Sequence, residues 1–471
     1  MPGPAPGARR PAMERLGPQD LMLLWSDDFG WPEVIGALAF LDGTGLLDSD
    51  GRFRVEAVRE VVGSRLSQVP RFRQLLHTPR RGLGRPLWID AQTIDVTEHV
   101  RVLPFAAPPD EARLLQTVEH VRALPLDQSR PLWEMWFLPG LTGDRVAMFI
   151  KVHHTIADGA AGVALLGTFL DPSTDAPATP VQPWNPVPMP SGRDLFEDNF
   201  RRRVQAAEDT LSKLSRPAAT LRQVREKWPA VRENYFKGRA PRMSFNIPVG
   251  PQHRLAVIRS SLDTFKQIAH SHDVKLNDVL MSATAGGLRE LLRSRGERAE
   301  DLVLRAFVPV SLHQEEPGKA HGNKDGMMFV PLPIGEPDPV HRLRLIAAAR
   351  ARQKQYVVGP PEGVVGRNRL IQRAMIRSLG RQRWANLYIG NIFGPPMPLY
   401  LAGAKVTELF PLVPLTGNFT LAVAALSYAE QFNIAVVADA NACPDVEVLA
   451  AGVRNHVQAL SPSRRPPAAA E

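Results

Sequence analysis

The sequence predicts a mixed α/β fold in two halves joined by a linker, and three observations point to it. At 471 residues the chain is longer than one ordinary domain of about 100–200 residues, so two cores are expected. Apolar runs of strand length alternate with helix-like stretches in both halves. Between the halves, prolines recur through residue 190, and residues 201–242 hold 12 Lys or Arg against 4 Asp or Glu.

Residues 1–12 are rich in Pro, Gly and Ala and lack an apolar core, so they read as a disordered lead-in and not a signal peptide. The first half is expected over residues 13–172. Within it, residues 146–152 form an apolar run broken only by Lys151 and preceded by the turn Thr142-Gly143-Asp144, which reads as a buried strand. Residues 159–170, rich in Ala, Leu and Gly, follow as a helix. A Pro-rich crossover and a basic helical linker fill residues 173–243. The second half, 244–462, opens with a strand over 255–262, a helix over 263–270 and a long helix over 276–293, whose start carries the capping residues Asn277 and Asp278. Strand patterns recur at 303–310, 327–332, 419–426 and 432–438, and residues 463–471 read as a disordered tail.

Composition narrows the function classes. Hydrophobic residues at 44% and aromatics at 7% exclude wholesale disorder and fibrous repeats. The single cysteine, Cys443, rules out an intrachain disulfide and suits a reducing compartment; its turn-like surroundings hold no histidine, which speaks for a structural thiol. The longest apolar stretches fall short of the roughly 20 residues that cross a bilayer, so membrane contact would be peripheral. A net charge of +9 is concentrated in residues 201–242. Residues 367–383 add six arginines and no acid, with Leu370, Ile371, Met375 and Leu379 near helical spacing, a basic amphipathic helix that suits either a solvated face or an anionic lipid surface. No recognition motif or basic-aromatic array accompanies the charge, so nucleic acid is not the expected partner.

The sequence His153-His154-Thr155-Ile156-Ala157-Asp158-Gly159 stands where the strand 146–152 ends and the next helix begins. Loops on rigid scaffolds are common seats of reactive groups. Successive strand side chains face opposite ways, so one histidine can enter a cavity while its neighbour packs. An imidazole with a pKa of about 6.5 can take a hydroxyl proton at cellular pH when its second nitrogen is held by a hydrogen bond. Asp158 is placed to cap the helix or pair with an arginine, a structural role in preference to a catalytic relay. Gly159 admits a backbone angle or a close approach that a side chain would block. The same residues also suit a packed histidine pair or a zinc site, although no Cys or His cluster supplies further ligands and no His-Glu-x-x-His helix is present.

Residues 153–159 match the HHxxxDG motif, and the sequence thereby resembles the coenzyme-A-dependent acyltransferase superfamily, which includes chloramphenicol acetyltransferase and condensation domains of nonribosomal peptide synthetases. Residues 125–134, PLDQSRPLWE, resemble the PLDxSRPLWE block of bacterial wax ester synthase/diacylglycerol acyltransferases. Similar blocks run along most of the chain: LGPQD at 16–20, PRFR at 70–73, GRPLW at 84–88, NDVL at 277–280, VPVS at 308–311, Gly322-Asn323 and LYLAGA at 399–404. Two departures stand out: NIFGPP at 391–396 replaces a run like SNVPGP, and a lead-in precedes Met13.

The resemblance implies two chloramphenicol-acetyltransferase-like domains, mixed sheets flanked by helices, with an active-site tunnel between them entered by acyl-CoA and by the acceptor alcohol. It implies that His154 is the base, that His153, Asp158 and Gly159 support it, and that Asn277 and Asp278 support the site from the second half. Asn277 would polarise the thioester carbonyl or simply cap its helix; Pro131, Leu132 and Trp133 would shape the substrate channel, with ordinary core packing as the other reading of Trp133. The implied reaction moves a long-chain acyl group from acyl-CoA to diacylglycerol or a fatty alcohol, without an acyl-enzyme, a metal or a permanently bound cofactor. Its expected place is cytoplasmic, on the inner face of the plasma membrane or on lipid inclusions. The basic stretches would meet CoA phosphates or lipid headgroups. Two other readings are a condensation-type enzyme with a carrier-tethered donor and a non-catalytic lipid-binding protein.

Overall fold

The computed structural model describes residues 13–157, 159–176, 180, 183–215, 217–311, 325–357 and 368–461. The expected lead-in 1–12 and tail 463–471 lie outside the described residues, as do Asp158 and Gly322-Asn323. The first half runs α1 (Pro18–Ser26), β1 (Val34–Asp42), α2 (Val55–Arg65), β2 (Gln74–His77), β3 (Leu87–Asp90), α3 (Val96–His99), β4 (Val100–Val102), α4 (Glu111–Ala123), β5 (Trp133–Leu138), β6 (Arg145–His153) and α5 (Gly159–Thr168). Helices α6 (Gly192–Ser215) and α7 (Pro217–Val231) form the link. The second half runs β7 (His253–Ile258), α8 (Leu262–Ser271), α9 (Leu276–Ser294), β8 (Val303–Ser311), β9 (Asp325–Pro333), α10 (Pro339–Gln353) and α11 (Arg369–Leu379). It closes with β10 (Leu387–Phe393), β11 (Tyr400–Leu401), β12 (Ala404–Leu412), β13 (Leu421–Tyr428), β14 (Gln431–Asp439) and α12 (Val446–Leu460).

Two six-stranded sheets, in the orders β11-β12-β1-β6-β5-β4 and β7-β14-β13-β10-β8-β9, form the architecture, so the two-part mixed α/β fold expected from sequence is present. The apolar run on β6 is continuous because both faces of the strand are covered. Val146, Met148, Ile150 and Val152 join a core with α2 and Trp133, whereas Ala147 and Phe149 face a second core. That second core also holds Leu255, Val257, Ala422, Ala424, Ala435 and Val437 of the other sheet, so the two sheets pack against each other through it.

Lys151, the one charge in that run, is fully buried. Its Nζ donates to the carbonyls of Leu124 (2.9 Å) and Val121 (3.2 Å) at the end of α4 and pairs with Glu134 of β5 at 3.1 Å. Burial lowers the lysine pKa, and Glu134 opposes that shift. The carboxylate and the helix carbonyls together satisfy the three N–H donors of the ammonium group.

Residues 400–412 belong by sequence position to the second half, but β12 pairs antiparallel with β1, Leu38 facing Phe410, and so completes the first sheet. One local boundary also differs from the sequence expectation. The strand expected over 255–262 stops at Ile258, because Ser261 accepts the Thr264 N–H at 3.0 Å and caps α8. In α11, the buried positions are Gln372 and Ile376, while Leu370 and Ile371 are exposed.

Because Phe410 is fully buried in the core shared by both sheets, Phe410→Ala is expected to destabilise the protein by about 3–5 kcal/mol. Denaturant unfolding followed by tryptophan emission and by circular dichroism checks this, and both probes should shift together because the two halves share the lost contact.

Candidate active site

Strand β6 ends at His153, which faces Val34 of β1 and whose N–H donates to the carbonyl of Leu132 at 3.0 Å. The His153 ring is buried. The Thr155 N–H donates to its Nδ1 at 3.2 Å, with Thr155 Oγ1 at 2.8 Å, so Nε2 is left to donate to Asp27 Oδ2 at 3.1 Å. The chain then turns, Ile156 N–H donating to His153 C=O at 2.9 Å. His154 occupies that turn, half-buried, and its N–H donates to the Glu33 carbonyl at 2.7 Å. The ring of His153 is thus locked in place, and the turn carrying His154 is pinned through the His154 backbone.

Glu33 adds a buried carboxyl beside this turn. Its Oε1 accepts from Thr416 Oγ1 at 2.7 Å, a contact that ties the approach to β1 to the loop between β12 and β13. Burial pushes its pKa up to about 7; the Thr416 hydroxyl opposes the shift and neighbouring Asp27 adds to it.

The second half reaches the same place through β10. A side chain at Gly159, the first residue of α5, would place its Cβ 3.1 Å from Ile392 Cδ1, so the glycine permits a close approach between the halves. Next to Ile392, Asn391 donates from Nδ2 to Asn277 Oδ1 at 2.6 Å. Asp278 is fully buried, accepts the Lys275 N–H at the start of α9 (2.9 Å) and forms a two-pronged pair with Arg350 of α10 at 2.5 and 3.1 Å. It therefore positions α9, while Asn277 is the amide of that pair turned to β10. Asp158 lies outside the described residues.

Pro131, Leu132 and Trp133, expected at the substrate channel, lie in the core, which for Trp133 is the packing reading. All three are buried; Trp133 is fully enclosed, stacked on His99 and Phe72 with its Nε1 donating to the Phe72 carbonyl at 3.0 Å. Their link to the site is indirect, through the Leu132 carbonyl beneath His153. Asp27, Glu33 and Asn391 had no assigned role from sequence. Asn391 alone left a trace there, as the first residue of the departing NIFGPP run.

Cys443 is buried beside Arg295, which donates to its sulfur at 3.3 Å, and burial pushes the thiol up to about 11, unsuited to nucleophilic attack. Among the described residues no three His, Cys, Asp or Glu side chains converge as a metal site. Surface clefts of about 670 and 530 Å³, bordered by Glu56 and Thr93 and by Arg259 and Glu430, include no residue of the histidine turn.

Residues 16–280 match the family model of the wax ester synthase/diacylglycerol acyltransferase catalytic domain, and residues 321–461 match that of the WS/DGAT C-terminal domain. The chain belongs to the wax ester synthase/diacylglycerol acyltransferase family. It is an acyltransferase of that family. A Mycobacterium tuberculosis protein provisionally named a diacylglycerol O-acyltransferase is 30% identical over 475 residues, covering 96% of this chain and 98% of its own length. A second from the same organism, likewise provisionally named, is 28% identical and covers 91% of each chain. The wax ester synthase/diacylglycerol acyltransferase of Marinobacter aquaeolei VT8 superposes with a TM-score of 0.66 at 21% identity, over 95% of this chain and 98% of that one. The first condensation domain of the calcium-dependent antibiotic synthetase shares the fold at 16% identity, with a TM-score of 0.60 over 96% of this chain and 97% of that one.

In this family member, the buried Glu33 carboxyl has a folded pKa near 7 against an ordinary value of 4.5. Its stabilising contribution is therefore complete below pH 4.5 and is lost as pH rises towards 7. Glu33→Gln, which keeps an acceptor for Thr416, is expected to be neutral at pH 4 and to stabilise by about 1–3 kcal/mol at pH 8. Urea melts at the two pH values measure the difference; equal melts at pH 8 would contradict it.

Proposed function

We propose that this chain transfers a long-chain acyl group from acyl-CoA to the hydroxyl of diacylglycerol, releasing CoA and triacylglycerol, and that long-chain alcohols serve as alternative acceptors to give wax esters. The observation that carries this reading is the position of His154. It stands on a turn pinned by the Glu33 carbonyl and by the His153–Asp27 pair, at the seam where Gly159 meets Ile392 of the other half. The imidazole of His154 takes the acceptor's hydroxyl proton as the oxygen attacks the thioester carbonyl carbon. The carbonyl then re-forms as the C–S bond breaks, and the imidazolium returns the proton to the departing sulfur, so CoA leaves as the thiol. Asn277, its amide oxygen already occupied by Asn391, is assigned as a donor to the negative oxygen of the intermediate.

Attack by the acceptor itself is favoured over an acyl-enzyme, because Cys443 is buried with a raised pKa. Acyl-CoA enters as a substrate, and neither a resident cofactor nor a metal has a step in this scheme. The two names of the family supply the two acceptor classes, and the provisional names of the mycobacterial relatives put diacylglycerol first. A carrier-tethered donor is the weaker reading, since the likeness to condensation domains is one of fold whereas the WS/DGAT models match both halves. Such substrates place the work at a lipid surface, on the cytoplasmic face of a membrane or on a lipid inclusion.

Purified protein given labelled palmitoyl-CoA with diacylglycerol and hexadecanol in competition tests the assignment. Triacylglycerol is the expected main product, and hexadecyl palmitate in its place would reassign the acceptor. His154→Ala is expected to lower kcat by about 10²–10⁴ with KM little changed; full turnover in that variant would remove His154 from the mechanism.

A further inference from the structure

Helix α6 carries a feature that the acyl-transfer site does not use. Leu195 and Asp198 are buried and fasten the helix to the body: Asp198 accepts from Arg15 Nε at 2.6 Å, and Arg202, bonded to Asp198, also donates to the Met13 carbonyl at 2.9 Å. At about 100° per residue, Phe196, Phe200, Val204 and Leu211 share one face roughly half a turn away from those anchors. All four are exposed, and the rings of Phe196 and Phe200 stack with centroids 6.4 Å apart. On α7, Leu221 and Trp228, seven residues apart, are exposed as well, so six large apolar side chains on two successive helices are 40–69% exposed.

A folded soluble surface seldom keeps such a row in water. The charge around it selects the occupant. Arg203 borders the α6 stripe on one side; on the other, Arg201 lies beyond Glu197, which is paired with Arg193 at 2.8 Å, and beyond Glu208. The stripe leads into residues 201–242, with their 12 cations and 4 anions. Arginine stems can lie along apolar surface while their guanidinium groups reach phosphates, and tryptophan favours the boundary between headgroups and acyl chains. A protein partner of ordinary composition would meet excess positive charge along this segment, whereas an anionic phospholipid surface complements both the stripe and the cation-rich stretch it leads into.

We propose that the apolar face of α6, continued by α7, is a docking surface that seats this enzyme on anionic phospholipid membranes. The inference deepens the proposed function, because acceptors and products of that reaction are themselves lipids. It does not depend on the same measurement.

Flotation of the full chain with vesicles of phosphatidylcholine and phosphatidylglycerol, against phosphatidylcholine alone, tests it. Phe196→Ser/Phe200→Ser/Leu211→Ser is expected to lower the floated fraction at least about tenfold on the anionic vesicles, and Phe196→Leu/Phe200→Leu to retain it. Arg201→Gln/Arg203→Gln should weaken binding about tenfold on anionic vesicles only, an effect that high salt abolishes. Transfer from a short-chain acyl-CoA to a water-soluble alcohol reports folding and the acyltransferase reading separately, and the triple variant should keep it. Undiminished flotation of the triple variant would overturn the proposal. So would a wild-type dimer, seen by light scattering, that the triple variant dissolves, since the stripe would then be covered by a second copy.

Discussion

The hydrogen bonding of β1 on both of its edges holds the rest of the molecule in place. On one side it pairs with β6 along its whole length, from Val34 opposite His153 to Asp42 opposite Arg145; on the other it pairs with β12, a strand that arrives from far along the chain. Backbone groups buried between two sheets must be paired, so removing either partner would leave a row of unsatisfied donors and acceptors in an apolar core. The register that results puts Glu33 and Asp27, on the approach to β1, beside the histidine turn at the end of β6. The site is thus a consequence of strand register, and a slip of one residue would turn the locked His153 to the opposite face.

Around that frame, charge is used sparingly and in satisfied groups. Lys151 meets Glu134 and the end of α4, Asp278 meets Arg350, and Glu119 holds Arg122 with bonds of 2.8 and 3.0 Å. Each joins two elements or secures a helix, and each would cost several kcal/mol if one partner were removed, because the remaining charge would stay buried. Glu33 differs from these groups. Its neighbours are a hydroxyl and another carboxylate, and burial accordingly favours its protonated form.

The two basic helical regions part company in the structure. Helix α11 is tied to the first half through Gln372, which donates to the Pro18 carbonyl at 2.9 Å, and through an Arg373–Asp28 ion pair, so part of its charge has an internal use. Helix α6 spends Arg202 on an internal contact and presents aromatic side chains outward. A cluster of arginines in a sequence therefore says little about which of them face a partner.

Composition and periodicity by themselves determined two α/β halves, the buried strand before His153, the helix after Gly159 and the long helix from Leu276, because continuous apolar runs, capping residues and helical spacing are local properties. The HHxxxDG and PLW blocks also marked the family, since motifs survive as contiguous residues. Three matters needed the tertiary structure. The exchange of β12 into the first sheet is a pairing between residues some 370 positions apart, which no local pattern encodes. Trp133 turned out to be enclosed, because its stacking partners His99 and Phe72 come from other elements. Asp27 and Glu33 came beside the motif, and Asn391 beside Asn277, only when folding brought their loops and strand together, for a single carboxylate or amide has no meaning until its neighbours are known.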